Sequence, residues 1–369
     1  MHILVTADTV GGVWTYTREL VTGLALRGIR VTLVSFGGIP SRGRRAWLDE
    51  LPGVTYFPTG YGLEWMQDAG EEVRDSMRYL RNVINESKPD LLHLSQYCYG
   101  ALDIALPKIV VAHSDVMSWS QSVRGTQPRD SWAQYYRETV ENGLAGASMV
   151  VAPSRWMLGC IESCYGALPR RHVVYNGRTP ALFNPSLSKQ SYAASAGRLW
   201  DEGKGSQLLM QLSAPPLPIF LAGAATASHS ADESGAGRTG GTPGVQFKGQ
   251  LSEDEMRELL SRAAIYITTS KYEPFGLAPL EAALSRCAIL ASDIPSLREI
   301  WGDAALYFRS DDACALEEAL RLLHGDRDLR MTYADRAYEH ALLNYTSDRM
   351  VDEYMQVYTA LLERRVEAA

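Results

Sequence analysis

The stretch from Thr268 to Glu299 reads TTSKYEPFGLAPLEAALSRCAILASDIPSLRE. AIYIT, which runs into it, has the pattern of a buried strand, and the loop after it ends at Phe275-Gly276. A helical run follows from about Ala278, then a second strand (CAILAS), then Pro295 opening another helix. Pro279 fits a first helical turn, where the N–H it lacks has no partner in any case. The N–H groups around Gly276, Leu277 and Ala278 are expected at the carboxyl end of the sheet, where a helix N-terminus attracts anions. Glu273 lies just before those donors and Glu281 just after them. Two carboxylates beside an anion site need hydroxyl partners, because otherwise they repel the anion. A sugar nucleotide brings both kinds of group, in its diphosphate and in its ribose and hexose hydroxyls.

With its Glu273-to-Glu281 spacing, EPFGLAPLE resembles the signature of the retaining glycosyltransferases of family 4, which have the GT-B fold. ASDIPSLRE and GDAALYF (302–308) resemble the family's next block. The resemblance implies an α/β protein of two Rossmann-like domains facing across a cleft. An acceptor-binding domain is expected over 1–186 and a sugar-nucleotide-binding domain over 187–346. A C-terminal helix, 347–369, is expected to cross back onto the first. In the family the second Glu, here Glu281, holds the nucleotide ribose, and the first, here Glu273, contacts the transferred sugar. Alone, the pair would read as a helix-dipole carboxylate and a solvated loop residue; EPFG and the following block carry the functional reading.

Upstream, SAGRLWDEGKGSQLL (195–209) reads as a strand, a turn at Gly197-Arg198, and Lys204-Gly205 opening a helix. It resembles the family's GRL..EKG, whose Arg and Lys bind the donor diphosphate. Gly203 is an inserted residue, which leaves the aim of Lys204 open. VQFKGQLSEDEM (245–256) resembles the segment whose backbone cradles the nucleobase, here Gly249, Gln250 and Leu251. Phe275, Gly276 and Leu277 complete the expected donor set. Arg286 stands where the family has Gly, and Ala288 where it has Pro. Either altered packing or an unusual sugar pocket accounts for them.

The first half alternates strands rich in Val and Ile (HILVT, RVTLVS, VTYF, DLLHL, KIVVAH, SMVVAP, HVVYN) with helical patterns at 14–27, 64–87, 130–144 and 154–165. That alternation argues for a parallel sheet covered on both faces, with ligands beyond the strands' carboxyl ends. The first turn, Asp8-Thr-Val-Gly-Gly-Val-Trp14, reads on its own as an ordinary tight turn, and resembles the family turn, at Gly12, that faces acceptor and donor phosphates. KPDLLHLS (88–95) resembles DxxHxH, with Ser95 replacing the second His; His93 reads as a satisfied core histidine. His113 ends the strand KIVVAH and matches the His that contacts the donor sugar. RRHVVYNGR and Phe183-Asn-Pro resemble the NGV…F.P run, with Asn176 and Gly177 as turn residues and a linker expected at 185–191. Trp14, Tyr16 and Tyr97 are the candidate acceptor-stacking rings.

The chain has 369 residues, 46% hydrophobic and 21% charged, enough for about two domains. The net charge is -7, with the first half near neutral and the second half acidic, which argues against non-specific nucleic-acid binding. Five cysteines and no basic leader point to reduced thiols and a cytoplasmic protein. Cys160 and Cys164 lack a second ligand pair, and no metal site or DxD-like motif is expected. The nucleoside diphosphate sugar is a substrate, so no separate cofactor is implied. The acceptor is expected to be a small saccharide or polar metabolite near Gly12, Trp14 and Tyr97. SRGRRAW (41–47) is the one candidate membrane-facing segment, and without a second signal membrane contact is not expected. A lipid-acceptor glycosyltransferase at the membrane surface, a non-catalytic sugar-nucleotide sensor, and a sugar-nucleotide epimerase or phosphorylase are the rival readings. The segment 223–244, rich in Gly, Ser, Ala and Thr, reads as a flexible loop.

Overall fold

The computed structural model describes residues 1–224 and 243–367. Most of the 223–244 segment thus lies outside the described residues. The chain forms two compact units, Met1–Gly177 with Ser347–Ala369, and Arg178–Thr346. The chain therefore crosses between units at Gly177-Arg178, upstream of the linker expected at 185–191. Three residues separate Gly177 from the last strand of the first sheet, Arg171–Val173.

In the first unit, seven strands are β1 (His2–Asp8), β2 (Arg30–Phe36), β3 (Val54–Pro58), β4 (Leu91–Leu94), β5 (Lys108–Val111), β6 (Met149–Ala152) and β7 (Arg171–Val173). They pair in parallel in the order β3-β2-β1-β4-β5-β6-β7. All seven coincide with the Val/Ile-rich runs of the sequence. β1, β4 and β5 are buried along their whole length, as continuous apolar strands covered on both faces must be. The helix Gly12–Leu26 packs Leu20, Val21 and Leu24 against the sheet and against Met350, Val351, Tyr354 and Tyr358 of the C-terminal helix Ser347–Glu367. The helix expected over 64–87 begins only at Gly70, because Asp68 sits at φ 62, outside helical geometry.

The second unit repeats the plan with β8 (Gln190–Ala196), β9 (Ile219–Ala222), β10 (Val245–Gly249), β11 (Ala263–Thr268), β12 (Ala288–Ser292) and β13 (Leu306–Phe308). Their order is β10-β9-β8-β11-β12-β13, again parallel. Both sheets thus have the doubly wound order in which the winding reverses beside the first strand. In such sheets ligands bind at that reversal, where the loops leave the carboxyl ends in opposite directions. The reversal lies between β1 and β4 in one unit and between β8 and β11 in the other.

Two departures from the family pattern resolve as packing. Arg286 adopts φ 63, the left-handed conformation a Gly would take without strain. Its guanidinium meets Asp335 at 2.7 Å and lies over Tyr338, both on the helix Arg327–Asn344. Ala288 is fully buried at the start of β12.

Candidate active site

At the reversal of the second sheet, two loops and the helix that follows the second carry the charged residues expected to meet the donor. The loop leaving β8 holds Arg198 and Lys204, and the loop leaving β11 holds Glu273 and leads into the helix Leu277–Leu284, which carries Glu281. The loops are tied together by backbone bonds. The Gly203 carbonyl accepts from the N–H groups of Lys271 (2.8 Å) and Tyr272 (3.2 Å). The inserted residue is thus the docking point that brings Lys204 to Glu273. Lys204 Nζ donates to Glu273 Oε2 at 2.6 Å, and Ser270 Oγ donates to the same oxygen at 3.0 Å. Arg198 donates to Asp201 at 2.7 Å, and Asp201 also accepts from the Gly203 N–H at 2.9 Å.

The helix expected to open at Lys204-Gly205 is instead two short 3-10 turns, Glu202–Lys204 and Ser206–Gln211. Gly205, at φ 59, separates them, and a β-carbon there would lie 2.3 Å from the Thr269 carbonyl oxygen. Gly205→Ala is expected to cost about 1–3 kcal/mol through strain and clash, read as a lower Tm with reduced activity. A Tm equal to wild type would show that the two loops need not approach so closely.

Glu281 forms an ion pair with Arg178, Nε to Oε1 at 2.9 Å. Arg178 is 3% exposed and stands where the resembled run has Val. Gly276 caps its helix at φ 93, leaving the first N–H groups at the carboxyl end of β11. The Phe275 ring is buried edge-on against Tyr345 at 5.3 Å, so that residue offers a ligand its backbone. β10 ends at Gly249, φ 69, whose carbonyl accepts from Gly223 N–H at 2.7 Å. Gln250 is exposed beyond it and Leu251 half-buried, ahead of a helix capped by Ser252 and Glu255.

In the first unit, Gly11 (φ 71) and Gly12 turn the chain from β1 into its helix, and Asp8 Oδ1 accepts the Val10 N–H at 2.5 Å. His113 lies just past β5. Its Nε2 is 3.3 Å from Ser95 Oγ, and the Tyr16 ring packs edge-on against it at 4.5 Å. The candidate stacking rings are not available to a sugar. Trp14 is 4%, Tyr16 1% and Tyr97 4% exposed. Trp14 Nε1 donates to the Arg44 carbonyl (3.1 Å), and Tyr97 Oη to the Ser114 carbonyl (2.9 Å). Tyr16 Oη is 3.0 Å from His93 Nε2, and Tyr358 Oη is 2.8 Å from His93 Nδ1. Each aromatic's apolar body is core and its polar tip is satisfied internally. Arg44 donates to the Thr9 carbonyl at 3.0 Å and Trp47 packs on Trp14 at 5.7 Å, so SRGRRAW is bound to the first turn.

Burial holds both His93 and His113 down to a pKa of about 3, His113 because neighbouring atoms crowd it even though its edge reaches solvent. Both rings are neutral at physiological pH. The unfolded chain protonates these rings near pH 6.5, the folded chain only near 3, so the stability of the neutral state is complete above pH 6.5 and is lost as pH falls. His93, fully buried, contributes about 1.4 kcal/mol per pH unit across that window. Urea midpoints should therefore fall between pH 6.5 and 4.5, and less steeply in His93→Gln; equal slopes would contradict the assignment.

The Glycosyltransferase Family 4 model matches residues 10–181, and the Glycosyl transferases group 1 model matches 185–340. The chain belongs to the family 4, group 1 glycosyltransferases. It is 26% identical to the alpha-maltose-1-phosphate synthase of Mycolicibacterium smegmatis over 304 residues, 72% of this chain and 75% of that protein. Its fold matches sucrose-phosphate synthase from Thermosynechococcus elongatus with a TM-score of 0.81 at 17% identity, covering 99% of this chain and 100% of that one. HepE from Anabaena, solved in complex with UDP-glucose, matches with a TM-score of 0.75 at 18% identity over 98% of this chain and 100% of that one. These likenesses show a GT-B glycosyltransferase fold. No helix among the described residues is long and apolar enough to cross a membrane.

Four residues around the site escaped the sequence reading: Arg178, Asp201, Thr269 and Ser270. Ser270 and Thr269 (its Oγ1 donates to the Lys204 carbonyl at 2.9 Å) lie within the opening stretch, yet small hydroxyl residues in a loop carry no signature of their own. Arg178 did carry a signal, as NGR in place of NGV.

Proposed function

We propose that this glycosyltransferase moves a hexosyl group from a nucleoside diphosphate sugar, a UDP-sugar foremost, to a soluble saccharide or small polar acceptor with retention of anomeric configuration. The observation that carries the reading is the gathering of Arg198, Lys204, Glu273 and Glu281 on the loops leaving β8 and β11, at the reversal of the second sheet. Glu281 takes the ribose hydroxyls, and the backbone of Gly249, Gln250 and Leu251 takes the base. Arg198, Lys204 and the N–H groups around Gly276 and Leu277 take the diphosphate, while Glu273 takes a hydroxyl of the transferred sugar.

In the reaction the bond from the anomeric carbon to the phosphate oxygen breaks, and the acceptor oxygen bonds on the same face. The acceptor proton passes to the departing phosphate oxygen. Negative charge grows on the diphosphate, and fixed cations stabilise it without reorganising. These cations supply what a divalent ion would otherwise supply, so activity should survive EDTA. His113, neutral at working pH, acts as a hydrogen-bonding group and not as a cationic acid.

The acceptor is assigned to the loops leaving β1 and β4, around Gly12, with Trp14, Tyr16 and Tyr97 as the packed floor beneath. The engagement of Arg44 and Trp47 within their own unit favours a soluble acceptor over a lipid one. The experiment is NMR of sugar release from UDP-glucose, GDP-mannose and ADP-glucose without acceptor. Retention predicts that the free sugar appears first as the α-anomer, together with the nucleoside diphosphate. First appearance of the β-anomer overturns retention, and no release from any donor, with or without small saccharides, overturns the reading.

A further inference from the structure

Glu281 does not stand alone at the helix Leu277–Leu284. Arg178 reaches it from the first residue of the second unit, and every other feature of Arg178 fixes that residue in place. Its backbone N–H donates to the Tyr345 carbonyl at 3.0 Å, and its backbone bridges Thr346 in parallel. Its guanidinium lies 5.3 Å from the Phe183 ring centroid, a cation–π contact. The side chain is 3% exposed and that of Glu281 16%, so the pair is largely withdrawn from water. A buried guanidinium without a carboxylate is strongly unfavourable, and the backbone bond and the Phe183 contact hold this guanidinium beside Glu281.

We propose that Arg178 is the positioning residue for the ribose-binding carboxylate: it fixes the rotamer of Glu281, and so sets donor affinity. The proposal rests on the functional reading above. A carboxylate that must accept from ribose hydroxyls gains from being held in one geometry before the donor arrives, because the ordering cost is then already met in the folded protein. Arg178 also offsets the repulsion between Glu281 and a diphosphate bound at the same helix N-terminus.

The test is a double-mutant cycle on donor affinity, measured by calorimetry with UDP-glucose, GDP-mannose and ADP-glucose on wild type, Arg178→Met, Glu281→Gln and the double variant. Arg178→Met is expected to raise the dissociation constant of the donor that binds by about tenfold or more, the effect of one charge-assisted contact. The double variant should bind no more weakly than Glu281→Gln alone, because Arg178 acts through Glu281. A fall in kcat at saturating donor is not expected. Should Arg178→Met fail to fold, Arg178→Lys carries the test: it keeps the charge, loses the fork, and should weaken donor binding by a smaller factor. Wild-type affinity in whichever Arg178 variant folds overturns the proposal, as do losses that multiply in the double variant. Binding of none of the three donors by wild type overturns the functional reading and this proposal with it.

Discussion

Lys204→Ala is expected to lower kcat about 100-fold or more, the scale seen when one preorganised charge partner of a transition state is removed. Donor affinity should change less, because the diphosphate gains charge as the glycosyl bond breaks. The structure adds a second contribution. Lys204 holds Glu273 at 2.6 Å, so the alanine variant leaves a nearly buried carboxylate uncompensated beside the bound anion. Glu273→Gln placed on top of Lys204→Ala should therefore recover part of the donor affinity, though not kcat. Steady-state kinetics on the three proteins check this. A kcat within twofold of wild type in Lys204→Ala would make the lysine a structural partner of Glu273 and nothing more.

The second large effect belongs to Glu281→Ala, which should raise donor KM by about 30-fold, equivalent to about 2 kcal/mol for lost hydrogen bonds to a charged acceptor. The same substitution removes the carboxylate paired with the nearly closed Arg178 side chain, so a lower Tm should accompany the kinetic change. The two consequences separate in Glu281→Gln, which keeps shape and loses charge. Unchanged donor KM in Glu281→Ala would remove this residue from the ribose.

The contrast between these residues shows what the sequence could and could not reveal. Strands such as HILVT and KIVVAH are continuous apolar runs, so their burial in a parallel sheet follows from composition alone. EPFGLAPLE was legible because a loop, a helix start and two carboxylates occur within one short stretch. Which charges pair was not legible. Lys204 with Glu273 and Arg178 with Glu281 join residues far apart in the chain, and no local pattern encodes such partners. Trp14, Tyr16 and Tyr97 failed as stacking rings for a related reason. A ring with a polar tip is equally suited to a sugar face or to a core with a hydrogen-bond acceptor inside it, and here Arg44, His93 and Ser114 supply the partners. The 3-10 turns on either side of Gly205 were not legible, because helical spacing in SQLLMQ says nothing of Gly205 at φ 59.

The central claim is that the loops leaving β8 and β11 bind the diphosphate and ribose of a sugar nucleotide. Thermal unfolding of wild type, Lys204→Ala and Glu281→Ala with UDP, GDP and ADP measures this without requiring an acceptor. A nucleotide at about 100 times its dissociation constant stabilises the fold by about 2.7 kcal/mol. At least one of the three is expected to raise the Tm of wild type, and both substitutions to diminish the shift. No shift with any of them, or a shift that both variants retain in full, would contradict the claim.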